Sequence, residues 1–121
     1  MAGELANNPY FLPVAENLRI ILSLQPLISP ENYVDWNRSV FLALSARNKF
    51  AFVNGSISKP EVTSPQYNSW CRCNNMVLSW LVNSLSKDLQ ASVRYINTAQ
   101  ELWIDLQDHF SQGSSPRLYK L

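Results

Sequence analysis

Three Ser-Pro pairs, Ser29-Pro30, Ser64-Pro65 and Ser115-Pro116, divide the chain, and each has the form of a helix start. Serine is a favoured N-cap because its side-chain oxygen accepts one of the N–H groups that a first helical turn leaves without a partner. Proline suits the first helical position because it has no N–H to lose and its φ is already near the helical value. Ser86-Lys87-Asp88 opens a further short helix carrying Leu89 and Val93. Thr98-Ala99-Gln100-Glu101 has the capping-box spacing, with Glu101 expected to reach back to the Thr98 amide. A chain punctuated in this way reads as a succession of helices.

The apolar residues support that reading. After Ser29-Pro30-Glu31, the residues Tyr33, Trp36, Val40 and Leu44 recur at three- and four-residue steps to about Arg47, and Phe41 widens the stripe. The second helix carries Tyr67, Trp70, Cys71, Val77, Leu78, Leu81 and Leu85, with Met76 and Trp80 beside them. A helix apolar over so wide an arc is expected to be central and touched on two sides. After Thr98, Ala99, Leu102, Trp103, Leu106 and Phe110 mark one face, and Gln112-Gly113 reads as a stop because glycine tolerates the left-handed conformation after a helix. The predicted core is therefore Trp36, Val40, Leu44, Trp70, Val77, Leu81, Leu102, Trp103, Leu106 and Phe110. Leu42 and Ile104 lie off their stripes and read as apolar surface.

Two short segments are read as strands. Leu18 to Leu24 is too short for an independent helix and ends near Pro26. Phe50 to Val53 is followed by Asn54-Gly55, a strong turn signal. The expected fold is mainly α: a compact bundle of four to five helices with a short N-terminal β element. The expected organisation is an N-terminal arm over 1–17, a helical lobe over 18–113, and the start of a truncated connecting helix over 114–121. In the arm, Tyr10-Phe11-Leu12 stands between Pro9 and Pro13, which prevent a helix of any length. This cluster reads as packing on its own domain, or as docking on a neighbouring subunit.

Composition narrows the function. A length of 121 residues, 46% hydrophobic and 12% aromatic, is ample for one packed core. Ten Lys+Arg against nine Asp+Glu, scattered along the chain, give a formal charge of +1. That argues against strong nucleic-acid binding, which usually shows a basic excess gathered on one face. Cys71 and Cys73, two residues apart, point to different sides of a helix, and with the single His109 they fall short of a four-ligand zinc site. The expected setting is the reducing cytoplasm. The longest apolar runs are short, no membrane contact is expected, and no basic stretch followed by an apolar one marks a signal peptide.

No catalytic constellation emerges. His109 reads as a partly buried helix histidine rather than the base of a dyad with Cys71 or Cys73. Cys71 reads as a small core residue and Cys73 as a partly exposed one. Glu101, Asp105 and Asp108 read as a solvated acidic edge. Glycine is too rare for a phosphate-binding loop, and no cofactor or metal is expected. Trp80 divides evenly between a second side of the core and an interface anchor, since tryptophan is enriched where binding energy concentrates. The candidate interface residues are Tyr10, Phe11, Leu12 and Trp80.

Several stretches resemble the opening of Gag polyproteins from plant Copia-type retrotransposons. They are Asn8 to Leu12, Leu24 to Leu27, Glu31 to Trp36, Leu42 to Lys49, Phe52 to Ile57, Trp70 to Leu85, Ala99 to Trp103 and His109 to Gly113. What the resemblance implies is a non-enzymatic, capsid-type domain: the first of two helical lobes, self-associating into a virus-like particle around element RNA. It attributes RNA binding to a downstream zinc knuckle that this sequence does not contain. The alternative implied is a domesticated Gag lobe that grips a peptide or protein partner in a groove between helices.

Overall fold

A computed structural model describes residues 8–12 and 20–114, the last four of these as helical backbone. The expectations for the rest of the arm, for Leu18 and Arg19, and for 115–121 fall outside the described residues. The protein is mainly helical. A 3-10 turn, Pro30–Asn32, leads into α1 (Tyr33–Ala46), followed by α2 (Ala51–Asn54), α3 (Tyr67–Asn83), α4 (Lys87–Ser92) and α5 (Ala99–Ser114). Helix α5 packs against α2, α3 and the 3-10 turn, and α2 also packs against α3.

The stripes read from the sequence explain most of the packing. Tyr33, Trp36, Val40 and Leu44 of α1 are all buried. So are Ala99, Leu102, Leu106 and Phe110 of α5. An aromatic ladder joins the two helices: Phe110 stacks on Tyr33, Tyr33 meets Trp36, and Trp36 meets Trp103 at 5.8 Å between centroids. Phe50 then stands edge-on to both Trp103 and Phe41, carrying the ladder out to the surface. Trp103, expected in the core, is only half-buried, because it sits at this outer edge.

Helix α3 is central, but its buried arc is turned from the predicted one. Trp70, Cys73, Asn74, Val77, Trp80 and Leu81 are buried, while Cys71 and Leu78 are half-buried. Cys73 and Trp80 are seven residues apart, two helical turns, and so share one side. That side is covered, which reverses the expected exposures of Cys73 and Cys71 and makes Trp80 a core residue.

Neither predicted strand forms among the described residues. Residues 20–26 are irregular, and their region contributes one parallel bridge, Leu27 to Leu85. Leu27 N–H donates to the Ser84 carbonyl, and Ser86 N–H donates to the Leu27 carbonyl, both at 2.9 Å. The Asn32 side chain holds the approach to α1, accepting from the Ile28 and Ser29 amides and donating to the Pro26 carbonyl. Residues 51–54 are a helical turn. Phe52 and Val53 are both buried; in a strand consecutive side chains point to opposite faces, whereas in a helix both reach one core. Gly55, at φ +87°, ends that turn in the left-handed region.

Helix ends depart from expectation, first at α3, which starts at Tyr67 with Gln66 as its cap and not at Ser64-Pro65. α5 runs through Gly113 to Ser114, since glycine within a helix costs only about 1 kcal/mol. At its start the Thr98 hydroxyl accepts from the Glu101 amide and meets the Glu101 carboxylate at 3.2 Å. The first amide of the helix, Ala99 N–H, is taken by the Asn74 side chain of α3 at 2.8 Å.

Candidate interaction surface

The arm residues are the first place to look for a contact surface, and they lie on their own domain. Tyr10 stands edge-on to Phe52 at 5.9 Å between centroids, and Tyr10 and Leu12 pack against the core. Polar contacts fix the arm's backbone. Lys49 Nζ donates to the Phe11 carbonyl at 2.7 Å, and the Cys73 thiol lies 3.4 Å from the Tyr10 carbonyl. This cover is what buries Cys73. It is a contact between residues more than sixty positions apart, so no local pattern announces it.

The electrostatics of this corner follow from burial. Lys49 is buried, its ammonium held by carbonyl oxygens of Phe11 and Arg47. Burial pushes the Cys73 thiol above its ordinary pKa, against the opposing pull of the positive charges of Lys49 and Arg72. Burial likewise raises the Tyr10 phenol, with the neighbouring Cys73 adding to the shift. Beside the arm, Tyr10, Phe11, Leu12, Arg72 and Met76 line an open groove of about 580 Å³. Of the four candidate interface residues, three border this groove, and Trp80 is buried, 5% exposed, on the covered side of α3.

Two other surfaces stand out. On α1, Val34, Arg38, Phe41 and Leu42 face solvent on the side opposite the buried stripe. On α5, Glu101, Ile104, Asp105 and Asp108, with Tyr95 and Ile96 from the preceding turn, line a shallow groove of about 260 Å³. Leu42 and Ile104 are half-exposed, as their positions off the stripes imply.

Chemistry-bearing groups remain dispersed. His109 is exposed on α5, edge-on to Phe110, while Cys73 lies beneath the arm on α3. Cys71 and Cys73 are free thiols. Among the described residues no group of His, Cys, Asp and Glu could hold a metal ion. No helix of the described residues is long and apolar enough to cross a membrane.

The described residues form an all-α domain with exposed apolar residues and two open grooves. Comparison with known families is specific: residues 21–61, from the irregular approach through α1 and α2, match the family described as the Gag polypeptide of LTR copia-type. Over those residues the chain is thus similar to the copia-type Gag polypeptide. No curated protein and no solved structure matches the chain.

Proposed function

We propose that this domain is a capsid-type building block that self-associates into particles through weak, repeated protein–protein contacts. The observation that carries this reading is where the exposed apolar residues fall. Among the described residues, six of the nine large apolar side chains that face solvent, Ile21, Leu24, Ile28, Val34, Phe41 and Leu42, lie within the segment matched to Gag, and Val62, Tyr95 and Ile104 lie beyond it. Burying apolar surface stabilises a contact by roughly 25 cal/mol per Å². Contacts too weak to hold two isolated copies together add up when every copy makes several of them.

The setting proposed is the cytoplasm, and the source a plant element. RNA packaging is not placed in this segment, whose basic residues are spread over its helices and loops rather than gathered. The test is the mass of the chain in solution from micromolar to millimolar concentration. Reversible growth beyond the monomer supports the reading. A strict monomer counts against it and favours a peptide-binding module, with the groove at Tyr10, Phe11 and Met76 as its seat.

A further inference from the structure

Two surfaces of this protein complement each other, and they lie on different sides of it. The outward face of α1 presents Val34, Arg38, Phe41 and Leu42, which share one side of the helix at steps of three, four and seven. Arg38 sits in the middle of this apolar face, and the only carboxylate of α1, Asp35, lies toward its N-terminal end. The α5 groove has the opposite character. Its lining combines apolar Tyr95, Ile96 and Ile104 with the carboxylates Glu101, Asp105 and Asp108. Among the described residues no ion pair or hydrogen bond engages Arg38, Asp105 or Asp108. Glu101 is partly occupied by its contact with Thr98, whereas Asp105 and Asp108 have no such contact among the described residues.

We infer that the α1 face of one copy docks in the α5 groove of a second copy, with Arg38 between Asp105 and Asp108 and with Phe41 and Leu42 against Ile104 and Tyr95. A second copy is the occupant because it supplies what the groove lacks, a cation set within exposed aliphatic and aromatic side chains. The two surfaces share no residue. On α5, Trp103 faces α1 of the same molecule, whereas Ile104 and Asp105 face the groove with Tyr95. The contact inferred runs one way, each copy giving its α1 face to one neighbour and its groove to another, and so is heterologous, head to tail. It leaves one free face and one free groove on every pair, so association continues until a ring closes or a chain runs on. The inference rests on the self-association proposed above and names its surfaces.

The experiment uses sedimentation of the whole chain over micromolar to millimolar concentration, with Arg38→Glu, with Asp105→Arg, and with an equimolar mixture of the two. Both positions are solvent-exposed, and circular dichroism checks that each variant keeps its helix content; Asp108→Lys replaces Asp105→Arg if that variant does not fold. Each variant alone is expected to associate at least about tenfold more weakly than the unaltered chain. The mixture is expected to recover association, because the intact α1 face of one variant meets the intact groove of the other. The reversed charges on the remaining two surfaces also attract, so growth continues past the pair. High salt should weaken all of these contacts. Variants that associate as strongly as the unaltered chain would overturn this interface while leaving self-association standing. Folded variants that lose association but do not recover on mixing would also overturn it, since position 38 of one copy would then not face position 105 of the next. An unaltered chain that stays monomeric throughout would sink both the interface and the reading beneath it.

Discussion

Replacing Asn74 by alanine isolates the link between α3 and α5. Asn74 is 3% exposed, in the middle of α3. Its Oδ1 accepts the Ala99 N–H at 2.8 Å, and its Nδ2 donates to the Asn97 carbonyl at 3.0 Å. Ala99 is fully buried, so once the side chain is shortened its amide has no water to turn to. Leaving a buried donor unsatisfied costs about 1–3 kcal/mol. Asn97 is exposed and its carbonyl can hydrate, so the second lost bond adds little. The expected loss is therefore about 1–3 kcal/mol, a large fraction of the roughly 5–15 kcal/mol that holds a domain folded. For a domain of this size that lowers Tm by up to about 10 °C. The assay is urea unfolding followed by circular dichroism, with hydrogen exchange at the Ala99 amide as the local readout. Asn75→Ala is the control. Asn75 is exposed one position along the same helix; it accepts only a 3.3 Å bond from Asn74 Nδ2, so its loss should cost under about 0.5 kcal/mol. If Asn74→Ala is no more destabilising than Asn75→Ala, or exchange at Ala99 is unchanged, then Asn74 does not cap α5 in the way argued.

Gly55→Ala should cost about 1–2 kcal/mol in the same unfolding assay, because φ +87° is a conformation an L side chain resists. The new Cβ would lie 2.7 Å from Gln100 Nε2, the end of a flexible side chain that can move aside, so the backbone and not the clash sets the loss. A neutral Gly55→Ala would mean that the turn after α2 relaxes freely. Alkaline pH should destabilise the fold. Cys73 and Tyr33 have raised pKa values in the folded state because burial disfavours their charged forms. The unfolded chain therefore releases these protons first, and their contribution, intact at neutral pH, is lost as pH rises above about 9. Cys73→Ala should flatten the thermal stability profile between pH 8 and 10; an unchanged slope would show that the thiol does not contribute.

How much of this was legible beforehand varies along the chain. The helices α1 and α5 could be drawn from the sequence because each carries a narrow apolar stripe, and one stripe allows one buried face. Helix α3 was recognisable as central, yet its wide stripe left its orientation open by part of a turn. That margin decides whether Trp80 anchors an interface or fills the core, and which of Cys71 and Cys73 is covered. Short apolar runs were misread for a related reason: over four residues the helical and strand periods scarcely differ, so Phe50 to Val53 suited either. The contact surfaces were partly visible. Leu42, Ile104 and the acidic edge of Glu101, Asp105 and Asp108 could be placed outside by elimination, but their grouping with Tyr95 into one groove could not.

The order of elements and the inward residues of α1 and α5 were determined by the sequence itself, because caps and periodicity act between residues a few positions apart. The position of the arm over Cys73, the burial of Lys49 against the Phe11 carbonyl, and the capture of the Ala99 amide by Asn74 were decided only in the tertiary structure. Each joins residues more than twenty positions apart. Polar groups and arms of this kind have no period to read, and what settles their place is the requirement that every buried donor find an acceptor once the helices have packed.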